Sequence, residues 1–227
     1  MNLNASTEPM KTVAVIPAYN EEKYVGDVVR EVKKYVDSVI VVDDGSRDNT
    51  SKEAGRNGAI TLRHIVNMGK GFALQTGCEK AISLGDLIVV LDADGQHDPA
   101  EIPGMIRALQ EEGLDMVIGA RPTDKNMPAV LKVGNWWIKS LSRFLFRIRA
   151  KDTQSGFRVF TKDAYGKIAW TSAGYFVETE MLINASKNRL KYREVPIKTI
   201  YHDDYKGTTL IDGIRISLNM LSWKIRR

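Results

Sequence analysis

A mostly parallel α/β sheet flanked by helices is the fold class this chain predicts. Short β-branched apolar runs alternate with amphipathic stretches, the first four runs each have Asp, Asn or Gly near their carboxyl end, and a helix-like pattern follows each of those four. The 227 residues suffice for one sizeable domain, and 43% hydrophobic with 27% charged side chains is ordinary globular composition.

The runs are Thr12 to Pro17, Ser38 to Val42, Ala59 to Ile65, Leu87 to Leu91 and Met116 to Gly119. After Arg121 the rhythm changes. A loop with Pro122 and Pro128 precedes a helix over about 133–149, a strand over 156–160 and helices over 162–170 and 178–187. A strand over 192–201 and a last helix from about 210 complete the chain. No repeat, low-complexity tract or flexible linker divides it. Residues 1–10 read as a loose tail, 11–207 as the domain, and 208–227 as a basic amphipathic helix packed on the domain or on a membrane surface.

Several classes are excluded or disfavoured. The longest stretch free of Asp, Glu, Lys and Arg runs only from Ile168 to Val177, well short of the ~20 apolar residues that cross a bilayer. The opening MNLNASTEPM lacks a basic n-region and an apolar h-region, so secretion is not expected. Cys78 is alone, which excludes an internal disulfide and a thiolate zinc site. The net charge of +5 hides an asymmetry: residues 1–126 carry 14 Lys/Arg against 20 Asp/Glu, and residues 127–227 carry 19 against 8. Such polarity fits nucleic acid, an anionic membrane or a phosphorylated substrate.

In sheets of this kind ligands bind beyond the carboxyl ends of the strands, where strand order reverses. Three constellations fall there. VIPAYNEE (15–22) and VVDDGSRDNT (41–50) bring carboxylates and a turn to one sheet edge. Asp44 could accept from the ring N–H groups of a nucleobase, with Pro17 and Tyr19 shaping the slot. The plainer reading is that Asp43, Asp44 and Gly45 make a turn and Asp48 caps a helix. VVLDADGQHDP (89–99) places Asp92 and Asp94 one residue apart at the end of the most apolar run. One or both of these carboxylates, with Gln96, can converge on Mg²⁺ or Mn²⁺ if a substrate pyrophosphate completes the shell. The plainer reading is a solvated turn. An EF-hand is excluded, because His97 and Pro103 stand where its glycine and glutamate belong. NMGKGFALQTG (67–77) suggests a phosphate-cradling loop, but His64 and Gly71 occupy positions where a Walker A needs Gly and Ser or Thr. Lys70 is its phosphate-reaching candidate, against a surface lysine at a helix start.

In order and spacing, VIPAYNEE, VVDDGSRDNT, NMGKGFALQTG, LDADGQHDP, IGAR and DTQSGFRVF resemble family 2 glycosyltransferases of the GT-A fold. The resemblance covers about residues 11–200 and is nearest to the dolichyl- and polyprenyl-phosphate mannose, glucose and N-acetylglucosamine synthases. It implies transfer of a sugar, with inversion, from a nucleotide-diphosphate donor (UDP-Glc, UDP-GlcNAc or GDP-Man) to a polyprenyl phosphate. By motif matching, Pro17, Ala18, Tyr19, Glu21, Val42 and Asp44 line the nucleoside slot. Asp92, Ala93 and Asp94 face ribose and pyrophosphate, and Asp94 and Gln96 lead the metal ligands. Lys70 and Arg121 lie beside phosphates, as does Lys132 near a family arginine. His202 and Lys206, within YHDDYKG, stand where relatives place basic residues on the pyrophosphate.

A phosphate monoester, with a second pKa of ~6, is mostly dianionic at neutral pH and needs no general base. It needs charge cancelled, by metal on one side and Arg and Lys on the other. Glu178 and Glu180 mark where an enzyme with a hydroxyl acceptor would keep a base, and here are expected to have structural or acceptor-loop roles. Between Lys132 and Arg149, Trp137, Leu141, Phe144, Leu145 and Ile148 share a helical face opposite Lys132, Lys139, Arg143 and Arg147. Trp136, Ile138 and Phe146 fall outside that arc. Two such amphipathic helices imply peripheral attachment to the cytoplasmic side of a membrane, with a membrane-embedded subunit as candidate partner. The alternatives are a family 2 enzyme with a saccharide hydroxyl acceptor and, more remotely, a basic nucleic-acid-binding protein. The latter lacks any zinc-finger, RRM-type or basic-zipper signature.

Overall fold

The computed structural model describes residues 10–121, residues 152–200 apart from Tyr175, and Ser140, Arg143, Phe144, Phe146, Ile148 and Ala150 between them. Its strands are β1 (Thr12–Ala18), β2 (Ser38–Asp43), β3 (Ile60–Arg63), β4 (Leu87–Val90), β5 (Met116–Ala120), β6 (Arg158–Thr161) and β7 (Tyr192–Pro196). The helices are α1 (Val25–Val32), α2 (Thr50–Arg56), α3 (Lys70–Ala81), α4 (Ile102–Glu111), α5 (Lys162–Ile168) and α6 (Val177–Lys187).

The seven strands form one sheet in the order β3-β2-β1-β4-β6-β5-β7. Every pairing is parallel except those of β6, which runs antiparallel to both β4 and β5. Strand alternation then sorts the apolar side chains into two cores. Val13, Val15, Ile40, Val42, Ile88, Val90 and Phe160 pack with α3, α5 and α6. Ala14, Ile16, Val39, Val41, Val89 and Val159 pack with α1 and α4 on the other face. Burial on both faces is why the strands read as continuous apolar runs rather than alternating ones. Strand order, not strand direction, reverses at β1: β2 and β3 are laid down on one side of it, and β4, which is parallel to it, lies on the other. The crevice beyond their carboxyl ends is the expected ligand position.

Two expectations change. The strand expected over 192–201 leaves the sheet after Pro196. Its continuation turns back onto the loop after β4, where Thr199 bridges His97 and the Ile200 N–H donates to the Gln96 carbonyl at 2.9 Å. In the expected membrane helix, Phe146 (9% exposed) and Ile148 (2%) belong to the α3-side core, while Phe144 is 85% exposed. Phe144 and Ile148, which a helical wheel puts on one face, are thus parted: Ile148 is buried in the same core as Phe146, which the wheel puts off that face. The remainder of that helix, the tail 1–9 and the segment 201–227 lie outside the described residues. Among the described residues no helix is long and apolar enough to cross a membrane.

Candidate active site

The loops after β1 and β2 are stitched together by side chains. Asn20, in the left-handed region at φ 55°, receives the Arg47 N–H on its Oδ1 at 2.9 Å and donates its own N–H to Ser46 Oγ at 2.9 Å. Asparagine tolerates this conformation better than other non-glycine residues. The Glu21 N–H donates to Thr50 Oγ1 (2.9 Å) and the Glu22 N–H to Asp48 Oδ2 (3.1 Å). Asp48 also accepts from the Thr50 N–H at 3.0 Å from one residue ahead of the N-cap of α2, which is Asn49 and not the expected Asp48. Tyr19, 44% exposed, faces solvent at the mouth of this edge, with Pro17 and Ala18 buried behind it.

Two members of the expected nucleoside slot have partners within the fold. Asp44 accepts from the Met68 and Gly69 N–H groups at 2.9 and 2.7 Å, and its Oδ1 lies 2.7 Å from His64 Nδ1. Its carboxylate staples the loop between β3 and α3. Val42 is fully buried in the α3-side core.

That loop delivers Lys70. The Lys70 ammonium stands 2.6 Å from Asp92 Oδ1 and 2.7 Å from Glu178 Oε1, bridging the end of β4 to the first turn of α6. Burial alone would lower the lysine pKa, but the two carboxylates outweigh it and hold it above the ordinary value. Burial likewise opposes ionisation of Asp92, and Lys70, His97 and Arg121 overcome it, keeping the carboxyl below the usual range. Gly156 closes the contact: a Cβ there would lie 2.7 Å from Asp92 Oδ2 and 3.0 Å from the Lys70 ammonium. His97, behind the loop, accepts the Asp92 N–H on Nδ1 at 3.3 Å and leans on Phe157 with ring centroids 5.1 Å apart.

Asp94 is half-buried, and its Oδ1 accepts the Gln96 N–H at 3.0 Å. Its carboxyl is raised above the ordinary value, first by burial and then by the charge of Asp92. Asp94 is close enough to Asp92 to feel its charge, and carboxylate oxygens suit a hard divalent cation. Among the described residues no three His, Cys, Asp or Glu side chains converge as a metal cage.

Across the crevice, Arg121 at the end of β5 clasps Asp152 through Nε (2.8 Å) and Nη2 (3.0 Å), while its backbone N–H meets the same carboxylate at 3.2 Å. Burial pushes the Asp152 carboxyl up, and the guanidinium more than reverses it, leaving the pKa below 3.8. Arg121 keeps 39% of its side chain exposed, enough to meet a second anion. Beneath, Arg158 is wholly buried and donates to the carbonyls of Ser155 (3.0 Å), Thr153 (3.2 Å) and Glu178 (2.7 Å). Burial lowers its pKa to about 10. It ties the 152–156 loop to the start of α6, and so Asp152 and Gly156 to Glu178.

The structure thus gathers Lys70, Asp92, Asp94, Gln96 and Arg121 around the carboxyl ends of β4 and β5, with Tyr19 and Glu21 beyond β1. Lys132, His202 and Lys206 lie outside the described residues. Sequence reasoning assigned no role to Asp152, Arg158 or His97. Their signal was an arginine inside the apolar strand of DTQSGFRVF and a histidine next to D-x-D.

Residues 13–169 match the model of the glycosyl transferase family 2. The chain is a family 2 glycosyltransferase. This family 2 enzyme is 37% identical to the UDP-N-acetylglucosamine–dolichyl-phosphate N-acetylglucosaminyltransferase of Methanococcus voltae, over 93% of this chain and 95% of that one. It is 30% identical to the polyprenol monophosphomannose synthase of Mycolicibacterium smegmatis, over 95% and 88%. Among solved structures, glucosyl-3-phosphoglycerate synthase from Mycobacterium tuberculosis in complex with Mn²⁺, UDP and glucosyl-3-phosphoglycerate superposes with a TM-score of 0.75 at 23% identity, covering 95% of this chain and 80% of that one. That likeness places the chain in the GT-A fold, as the motifs anticipated.

Proposed function

We infer that this glycosyltransferase moves a sugar from a nucleotide-diphosphate donor to a polyprenyl or dolichyl phosphate, inverting the anomeric carbon. UDP-sugars are the favoured donors, since the relative from M. voltae is named for UDP-N-acetylglucosamine. One observation carries the choice of acceptor. The carboxylates standing where a hydroxyl acceptor would need a base are engaged by neighbours: Glu178 is ion-paired with Lys70 through Oε1, Glu180 holds the turn at 171–172 with both oxygens, and Asp152 is clasped by Arg121. A phosphate acceptor, largely dianionic above pH ~6, makes no such demand.

In this reading Tyr19 and Glu21 border the nucleoside. Asp94 and Gln96 would hold a divalent cation, Mg²⁺ or Mn²⁺, which when bound supplies charge neutralisation to the leaving diphosphate. Asp92 is kept ionised and oriented by Lys70 and by its backbone bond to His97. Arg121, immobilised by Asp152, presents its exposed edge to the acceptor phosphate, so it needs little rearrangement as charge moves. Lys132, His202 and Lys206 are proposed to add positive charge there. The lipid acceptor implies peripheral attachment on the cytoplasmic face of a membrane.

The test is transfer from radiolabelled UDP-N-acetylglucosamine, UDP-glucose or GDP-mannose to a polyprenyl phosphate in detergent with Mg²⁺ or Mn²⁺. Label extracting into organic solvent supports the proposal. Label remaining aqueous on a saccharide acceptor would transfer the assignment to a hydroxyl acceptor.

A further inference from the structure

Glu178 and Glu180 sit two residues apart in the first turn of α6, both almost sealed from solvent, at 3% and 1% exposure. Glu178 meets the tip of Lys70. Glu180 points elsewhere and is saturated. Its Oε1 accepts from the Thr171 N–H (3.0 Å) and hydroxyl (3.1 Å), and its Oε2 accepts from the Ser172 N–H (3.0 Å) and hydroxyl. Four donors fill the acceptor sites of a carboxylate.

The turn that Glu180 holds is the surface on which the lysine loop rests. Trp170 Nε1 donates to the Gly71 carbonyl at 2.8 Å, and the Gly71 N–H donates to the Ala173 carbonyl at 2.6 Å. Gly69 enters at φ 97°, and a Cβ there would lie 2.5 Å from the Ala173 oxygen. The contact is therefore backbone on backbone, which glycine alone permits. Lys70 leaves from between these two clamped residues.

We propose that Glu180 is a positioning residue: by holding the 171–173 turn it sets the Gly69–Lys70–Gly71 backbone, and thereby seats the Lys70 ammonium between Asp92 and Glu178. The first turn of α6 then grips Lys70 at both ends, its backbone through Glu180 and its tip through Glu178. The consequence for sugar transfer rests on the proposed function, but the positioning itself is testable without any substrate.

The experiment is amine acylation with an N-succinimidyl ester on the full chain, read peptide by peptide by mass spectrometry, with alkylation of Cys78 as an internal control. Cys78 lies on the same helix, α3, and is fully buried, so it reports general loosening. In the wild type, Lys70 should be protected while exposed Lys52 and Lys80 react. Glu180→Gln keeps the shape and loses the charge. It should raise Lys70 acylation about tenfold or more, because the side chain leaves its seat between the two carboxylates and becomes accessible, with Cys78 still protected. Lys70 staying protected in Glu180→Gln would overturn the proposal. So would Lys70 and Cys78 opening together, which would make Glu180 a general stabiliser of the core. Should Glu180→Gln fail to fold, Ser172→Ala removes a single donor and is read in the same way, with a smaller rise. Absence of sugar transfer by the wild type would remove the proposed function and leave the labelling result standing.

Discussion

Replacing Lys70 by Met removes the cation between Asp92 and Glu178, and the structure allows its cost to be worked out. At 2.6 and 2.7 Å, each contact is worth about 6 kcal/mol of gross attraction at an effective dielectric of ~20. Desolvation returns most of this. What remains is set by the partner left behind. Glu178, with 4% of its side chain exposed, becomes a buried charge without its cation, a change that costs about 3–5 kcal/mol in other proteins. Asp92, 29% exposed, is partly rehydrated and adds at most ~1 kcal/mol. The expected loss is about 3–6 kcal/mol at pH 7, which for a chain of this size lowers Tm by roughly 10–20 °C. Urea denaturation of Lys70→Met and of the double variant Lys70→Met/Glu178→Leu measures it. The double variant should recover about 2 kcal/mol, since no buried charge is then unpaired. A single variant within about 1 kcal/mol of wild type, or a double variant no better than the single, would refute the reasoning.

Asp94→Ala should abolish metal-dependent turnover of a nucleotide sugar while leaving Tm within a few degrees, because Asp94 is half-buried and bonds only the neighbouring turn; steady-state kinetics across Mn²⁺ concentrations check this. Arg121→Ala should lower kcat by about ten- to a thousandfold as an electrostatic stabiliser is lost. The clamp behind it has a pH signature: the Asp152 carboxyl is depressed below 3.8, so its contribution to stability is complete above about pH 4 and is lost as pH falls below that. The stability gap between wild type and Asp152→Asn should therefore be widest near neutrality and close toward pH 2, as followed by denaturation at a series of pH values. Gly156→Ala puts a methyl group 2.7 Å from Asp92 Oδ2, and should cost about 1–3 kcal/mol and weaken nucleotide-sugar binding, measured by calorimetry.

The parts of this molecule that were legible beforehand are those governed by local pattern. The β-branched runs ending in Asp, Asn or Gly located β1 to β5 within a few residues, and D-x-D was expected at the end of β4, where it lies. Long-range contacts were the illegible part. Nothing near Arg158 to Thr161 announces that β6 inserts antiparallel between β4 and β5. By its motif Asp44 is a candidate base acceptor. Its engagement depends on the Met68 and Gly69 amides folding onto it from the loop before α3. Lys70 was read as a phosphate candidate, yet its partners come from β4 and α6, and no spacing rule connects them. Phe144 and Phe146 show the same limit: the wheel separated them, and tertiary packing chose the buried one.

Anomalous scattering from a crystal soaked with UDP and Mn²⁺ tests the central claim most directly. The account predicts one manganese peak within about 2.5 Å of an Asp94 carboxylate oxygen, shared with the diphosphate, on the same side of the sheet as Arg121. Diphosphate bound with manganese remote from Asp94, or seated away from the carboxyl ends of β1 and β4, would contradict it.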